Sequence, residues 1–239
     1  MSSVPPQGPG FVPPPPPPPM PPSGGSGLAW ETQPIGPESL IEAAKLFITA
    51  PDRAWKLIRE TGDYTRPLLF ALIVGWVGAI FNAVWSTVFG AGIGRMLRML
   101  PPEMAGRLGP LGAGGGGFVA SVILAPLFIV CGLFIGTAIF HVSLMIVGAL
   151  SGSKSQFEGT FRVVSYSSIA HIALVIPFLG GLVALVWRIY LMMLGVQQLH
   201  KTTQAKALLG ILLPLLLCCV CGVVGAVFMG AAMFRAFGR

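Results

Sequence analysis

From Pro67 to Phe234 the chain is a succession of apolar runs, separated by short stretches that hold nearly all the charge of that region. A helix rises about 1.5 Å per residue and the hydrocarbon core of a bilayer is about 30 Å thick, so roughly 20 uncharged residues suffice to cross it. Five crossings fit, over residues 67–89, 118–150, 163–179, 182–199 and 207–234. The third and fourth share the run from Val163 to Leu199, which is too long for one helix and is broken by Pro177, Gly180 and Gly181. That break predicts a tight helical hairpin. Segments such as LLFALIVGWVGAIF are apolar on every side, whereas the strands of a membrane barrel would alternate apolar and polar residues. The pattern therefore predicts an all-α fold, a polytopic helical bundle with five transmembrane helices.

Ahead of the bundle the pattern changes twice. Residues 37–66 read as amphipathic helices lying at the interface, broken around Ala50 and Pro51. In the first, Leu40, Ile41, Ala44, Phe47 and Ile48 form one apolar face, and in the second Trp55 and Ile58 share a face while Arg53, Lys56 and Arg59 reach toward headgroups. These faces suit either the bilayer surface or the helix bundle. Residues 1–36 are rich in Pro, Gly and Ser, with an unbroken proline run from Pro13 to Pro19. Such a composition buries too little apolar surface to offset the entropy of ordering, so the expectation is a disordered tail with polyproline II character.

Composition supports lipid as the solvent: 54% of the 239 residues are hydrophobic, only 10% are charged, and mean hydropathy is +0.81. Lys and Arg near the span ends number eight on the N-terminal side of the bundle and five on the other, which predicts a cytoplasmic N-terminus and a C-terminus on the opposite side. The first thirty residues show no secretory signal, so insertion is expected to be driven by the first span. The net charge of +7 comes from single basic residues at span ends, not from a basic patch interleaved with aromatics, so no nucleic acid is expected as a partner. All four cysteines fall inside expected spans, which argues against a disulfide framework.

Chemistry is sparse. All eight Asp and Glu residues lie outside the expected spans, which disfavours proton pumping and intramembrane aspartyl catalysis. The histidines at 141, 171 and 200 lack metal-ligand spacing, and GALSGSKS departs from a phosphate-binding loop at Ser153. No catalytic residue, metal ligand or cofactor is assigned, and the chain is not expected to be an enzyme. Arg188, Tyr166, Arg162 and His171 are the candidate functional or lipid-contact residues, Arg188 because a cation inside a span is costly. Gly132 and Gly136 form a GxxxG, and Gly222, Ala226 and Gly230 form a small-residue stripe, both suited to helix packing within the bundle or in a homo-oligomer.

Three segments in order carry a resemblance: KLFITAPDRAWKLIRETGDYTRPLLFALIVG, then FEGTFRVVSYSSIAHIALVIPFLGGLVALVWRIYLMMLGVQQLHKTTQAKAL, then the apolar run with Pro214. Together they resemble the Yip domain family, multipass membrane proteins named for interacting with Ypt and Rab GTPases. The middle segment is the most specific, with its Phe, Tyr-Ser, Pro, Gly and GxxxxH pattern. Eukaryotic members carry an Asp-Leu-Tyr-Gly-Pro type motif before the first span, and Asp63, Tyr64, Thr65, Arg66 and Pro67 keep only its ends. The similarity is thus greater to the bacterial branch. It implies five spans, a cytoplasmic N-terminus, residence in a bacterial inner membrane, and no settled activity; a small GTPase as cytoplasmic partner is a weaker implication.

These readings lead to a non-catalytic binding or organising module in the lipid bilayer. The main alternative is a small solute or ion transporter or channel subunit, built around Arg188 and the polar residues of the third span.

Overall fold

The computed structural model describes residues 27–97 and 118–237. The proline run and most of the expected tail, together with most of the glycine-rich connector after the first span, lie outside the described residues. Regular structure among those described is entirely helical: α1 (Ala29–Thr32), α2 (Pro37–Thr49), α3 (Pro51–Lys56), α4 (Thr65–Leu97), α5 (Phe118–Ile146), α6 (Gln156–Tyr166), a 3₁₀ segment (Ser167–Val175), α7 (Gly180–His200) and α8 (Gln204–Phe237).

Local chemistry sets the boundaries. Pro37 occupies the first turn of α2, where its missing N–H costs nothing, and the Ser39 hydroxyl accepts a hydrogen bond from the Gly36 N–H at 3.3 Å. A residue before proline is pushed out of the helical region, and Ala50, before Pro51, sits at φ −147°, ψ 66°, so α2 and α3 are separate helices. The hairpin expected at Pro177 and Gly180 is present, with Phe178 at a left-handed φ of 62°. A second left-handed residue, Lys201 at φ 51°, ends α7.

Two expectations require correction. Residues 27–36 were expected in the disordered tail, yet α1 packs onto the bundle with Leu28, Trp30 and Glu31 buried. The apolar face expected on α2 is divided. Ser39, Ala43 and Phe47 turn inward, while Ile41 and Ile48 are exposed together with Ile35 just before the helix. Trp55 and Ile58 are buried against the bundle.

Among the described residues, four helices are long and apolar enough to cross a membrane: Thr65–Gly90 within α4, Phe118–Ile146, Gly180–His200, and Gln204–Gly230 within α8. The third expected crossing is not among them, because its chain divides into α6 and the 3₁₀ segment. A 3₁₀ helix rises about 2.0 Å per residue, so the 11 and 9 residues of this composite run cover about 34 Å.

That run lies beside α4 in parallel. Tyr64 meets Phe161 at a centroid distance of 5.1 Å, Phe70 meets Tyr166 at 5.1 Å, and Phe89 meets Phe178 at 4.2 Å. Between them, the Trp85 indole N–H donates to the Leu174 carbonyl at 3.1 Å, and a Cβ on Gly78 would come within 2.9 Å of His171. The α7 helix returns antiparallel to the composite run, with Gly180 against Ala173, Arg188 against His171 and His200 against Thr160. The α8 helix starts beside the end of α5, where Lys206 donates to the Gly148 carbonyl and Gly210 makes room for Leu144.

The small helices form a cap on the end of the bundle where α4 and α6 begin. Phe47 joins them: its ring stacks on Tyr166 at 5.6 Å and meets Trp55 at 5.2 Å and Phe70 at 6.1 Å. Phe47→Ala is therefore expected to cost about 3–5 kcal/mol. Ile41→Ala, on the outward face, is expected to stay within about 0.5 kcal/mol. Thermal unfolding of the two variants in detergent, each against the parent chain, checks this division of the helix.

Candidate functional site

The cap is held by a buried ion pair. Arg162, on α6, is 2% exposed, and its guanidinium donates from Nη1 to Glu31 Oε1, from Nε and Nη2 to Glu158 Oε1 at 3.1 and 3.0 Å, and from Nη2 to the Asp63 carbonyl at 3.0 Å. Glu31 is fully engaged as well. Its Oε1 also accepts from the Tyr166 hydroxyl at 2.8 Å, and its Oε2 accepts from the Arg59 N–H at 2.8 Å. Residue Gly62 has no side chain to block this, since a Cβ there would stand 2.8 Å from Arg162 Nη2. Burying a charge is tolerable only when it is paired and hydrogen-bonded, and here two carboxylates pair with the guanidinium and four of its five N–H groups are engaged.

Further bonds secure α1. Arg66 donates to the carbonyls of Trp30 and Gln33, the Trp30 indole donates back to the Arg66 carbonyl at 2.7 Å, and the Leu28 N–H donates to the Leu57 carbonyl at 2.9 Å. At the surface, Glu60 pairs with Lys201 at 2.9 Å, and the hydrogen bond and charge of that ammonium hold the Glu60 carboxyl below its ordinary pKa.

A second polar cluster ties the α5–α6 loop to the end of α7. His141 Nδ1 lies 2.9 Å from the Thr160 hydroxyl, which lies 3.1 Å from His200 Nε2, and His200 Nδ1 lies 2.6 Å from the Ser153 hydroxyl. This explains the spacing of Gly195 and His200 in physical terms. A Cβ at Gly195 would press into the Trp55 ring at 2.8 Å, so the glycine seats the cap while the histidine, one turn and a little further on, fastens the loop.

The remaining pair of candidates meets farther along the composite run. Arg188 Nη1 lies 3.1 Å from His171 Nε2. A guanidinium can only donate, so Nε2 accepts and a neutral ring carries its proton on Nδ1. The four candidates thus fall into two pairs, Arg162 with Tyr166 and Arg188 with His171, about 16 Å apart by helix rise. Sequence reasoning missed Glu31, whose partner is 131 residues away.

The small-residue motifs are placed differently from a packing role inside the chain. A Cβ at Gly132, Gly136, Gly222 or Gly230 would meet nothing within 4 Å, and Ala226 is exposed. Close helix approach within the bundle occurs instead at Gly78, Gly180, Gly195 and Gly210.

Arg162→Leu leaves a carboxylate that is 3% exposed without its cation, and is expected to cost about 3–5 kcal/mol. Tyr166→Phe keeps the ring packing and removes one bond to a carboxylate, for about 1.5–3 kcal/mol. The double variant Glu31→Leu with Arg162→Leu is expected to recover part of the Arg162→Leu loss. Thermal unfolding and protease cleavage within residues 27–36 provide the readouts, and strictly additive losses would show that the pair is not coupled.

No curated protein and no solved structure matches the chain. A model of the Yip1 domain matches residues 45–226, a span that contains α3 to α7, the end of α2, most of α8, the buried Arg162, and both the Gly195–His200 and Arg188–His171 arrangements. The chain, a helical membrane protein with a cap bolted to its bundle, belongs to the Yip1 domain family.

Proposed function

We propose that this protein is a non-catalytic docking module of a bacterial inner membrane, presenting its helical cap to a cytoplasmic protein. The observation that carries the reading is the Glu31–Arg162–Tyr166 latch. It fixes α1, and with it the cap, in one pose on the bundle, and a surface held rigidly costs a partner less ordering entropy on binding. The outward side of α2 offers Ile35, Ile41 and Ile48 among Glu38, Glu42 and Lys45. Exposed apolar side chains rimmed by charge are the composition of a contact surface.

The topology of this reading has five crossings. The composite run has the length for one, lies parallel to α4 from end to end, and returns through α7, so α8 leads the chain to the side opposite the cap. The count of basic residues supports a cytoplasmic cap in this reading. A small GTPase is the partner class that family membership favours.

A photo-crosslinking residue at position 41 or 48, activated in native membranes, is expected to yield an adduct with one protein of defined mass. That adduct is expected to weaken at least several-fold in Arg162→Leu, which frees the cap. Adducts with lipid alone would make the outward face a membrane contact and refute the docking role. Saturable solute flux through the purified protein in liposomes would favour transport instead.

A further inference from the structure

Arg188 stands 8 residues from the start of α7 and 12 from its end, about 12 and 18 Å by helix rise, which puts it near the middle of a helix long enough to cross a bilayer. A cation at that depth is expensive unless something answers its charge. Among the described residues nothing does. The Arg188 guanidinium has one hydrogen-bond partner, the neutral acceptor His171 Nε2. The seven described carboxylates all belong to the cap, the segment leading into α4, or the first turn of α6. Four of the five guanidinium N–H groups are left available.

The space around Arg188 fits an answer from outside the chain. A cleft of about 400 Å³ at the α4–α5 seam is lined by Arg188, His171, Ser168 and Asn82. It shares Asn82 with a second space of about 580 Å³, where Ser86, Thr87 and Ser121 continue a polar line toward the end of the bundle away from the cap. Asn82 is exposed, and no side-chain hydrogen bond to a described residue occupies its amide. The walls also carry Leu124 and Phe128, which are 47% and 67% exposed toward the surroundings of the bundle. Donors at the back and apolar side chains at the mouth describe a site for an amphiphilic anion.

We infer that Arg188 and Asn82 hold the phosphate of a phospholipid whose headgroup is net negative and moves in sideways between α4 and α5, its acyl chains remaining against the outer faces of those helices. The same donors would suit a free phosphate. The opening onto the lipid-facing side of the bundle favours a lipid as the source. This assignment does not depend on the cap or its partner.

The test is native mass spectrometry of the full chain from mixed micelles containing equal amounts of phosphatidylglycerol and phosphatidylcholine. The parent chain is expected to retain the anionic lipid about ten-fold over the zwitterionic one, because phosphatidylcholine brings a choline cation that the cleft, lined by no carboxylate, cannot answer beside Arg188. Arg188→Gln is expected to bring the ratio near one. Gly132→Leu is expected to do the same by a different route: Gly132 lines the cleft and a Cβ there meets nothing within 4 Å, so a side chain has room to start and takes up volume at the cleft. The Gly132 variant carries the test if Arg188→Gln does not fold. Arg53→Gln, which removes an exposed charge on the cap, is expected to leave the ratio unchanged. A preference that survives both cleft variants, or that disappears in Arg53→Gln, overturns the site. Arg188-dependent displacement of the lipid by inorganic phosphate alone would assign the site to a soluble anion and overturn the sideways route.

Discussion

A guanidinium removed from water must be given anions, and the position of Arg162 makes that requirement organise one end of the molecule. Its helix, α6, contacts α4, α5 and α7, so Arg162 has no path to solvent through the bundle. Its neighbour one turn earlier, Glu158, supplies one carboxylate, and the second has to come from elsewhere in the chain. Glu31 comes from α1, Asp63 offers a carbonyl from the segment before α4, and Arg59 contributes an N–H that meets the far oxygen of Glu31. Once those groups converge, α1 and the start of α4 have little freedom left, and Trp30 and Arg66 close the remaining bonds between them. The aromatic cluster of the cap joins the same assembly through Tyr166, which donates to Glu31 with its hydroxyl and stacks on Phe47 with its ring.

The 3₁₀ segment sets the level of the other polar pair. Runs of this helix longer than three or four residues are uncommon, and this one has nine. One serine hydroxyl competes for a backbone group at its start, where Ser168 donates to the Ser165 carbonyl at 2.6 Å. The extra rise per residue stretches the chain so that Leu174 and Phe178 reach the level of Trp85 and Phe89 on α4. Glycines permit the contact on both sides of the segment: Gly78 faces His171, and a Cβ on Gly180 would lie 2.4 Å from the Ala173 carbonyl. His171 is thereby held where Arg188 on α7 meets it.

Much of this was legible because it depends on local patterns. Apolar runs announce helices, Pro51 separates α2 from α3, and Pro177 with Gly180 turns the chain between the 3₁₀ segment and α7. What escaped depends on distance or on degeneracy. Glu31 sits in a stretch whose composition suggests disorder, and nothing nearby signals a partner on α6. The α2 helix has apolar residues on two faces, and only the presence of Tyr166 and Phe70 decides that Phe47 turns inward while Ile41 does not. Hydropathy counts residues and is blind to rise, so nine residues of 3₁₀ helix look like part of an ordinary span. Small residues likewise mark where helices can approach, not where they do, which is why the paired Gly132 and Gly136 face open space while the isolated Gly195 takes the Trp55 ring.

Arg162 and Arg188 pose the same physical problem and receive opposite solutions. Arg162 is enclosed by two carboxylates and a carbonyl, leaves no space beside it, and does structural work. Arg188 has a neutral histidine and open clefts on two sides, one of about 400 Å³ and one of about 360 Å³. If its role were only to brace α7 against the 3₁₀ segment, a tightly packed neutral pair would do so without the cost of a charge in the apolar layer. A permanent cation combined with retained empty volume has the properties of a receptor: the charge supplies the attraction, and the volume admits what is attracted. The Arg162 centre fixes the geometry of the cap, whereas the Arg188 centre keeps its chemistry unspent within the thickness of the bundle.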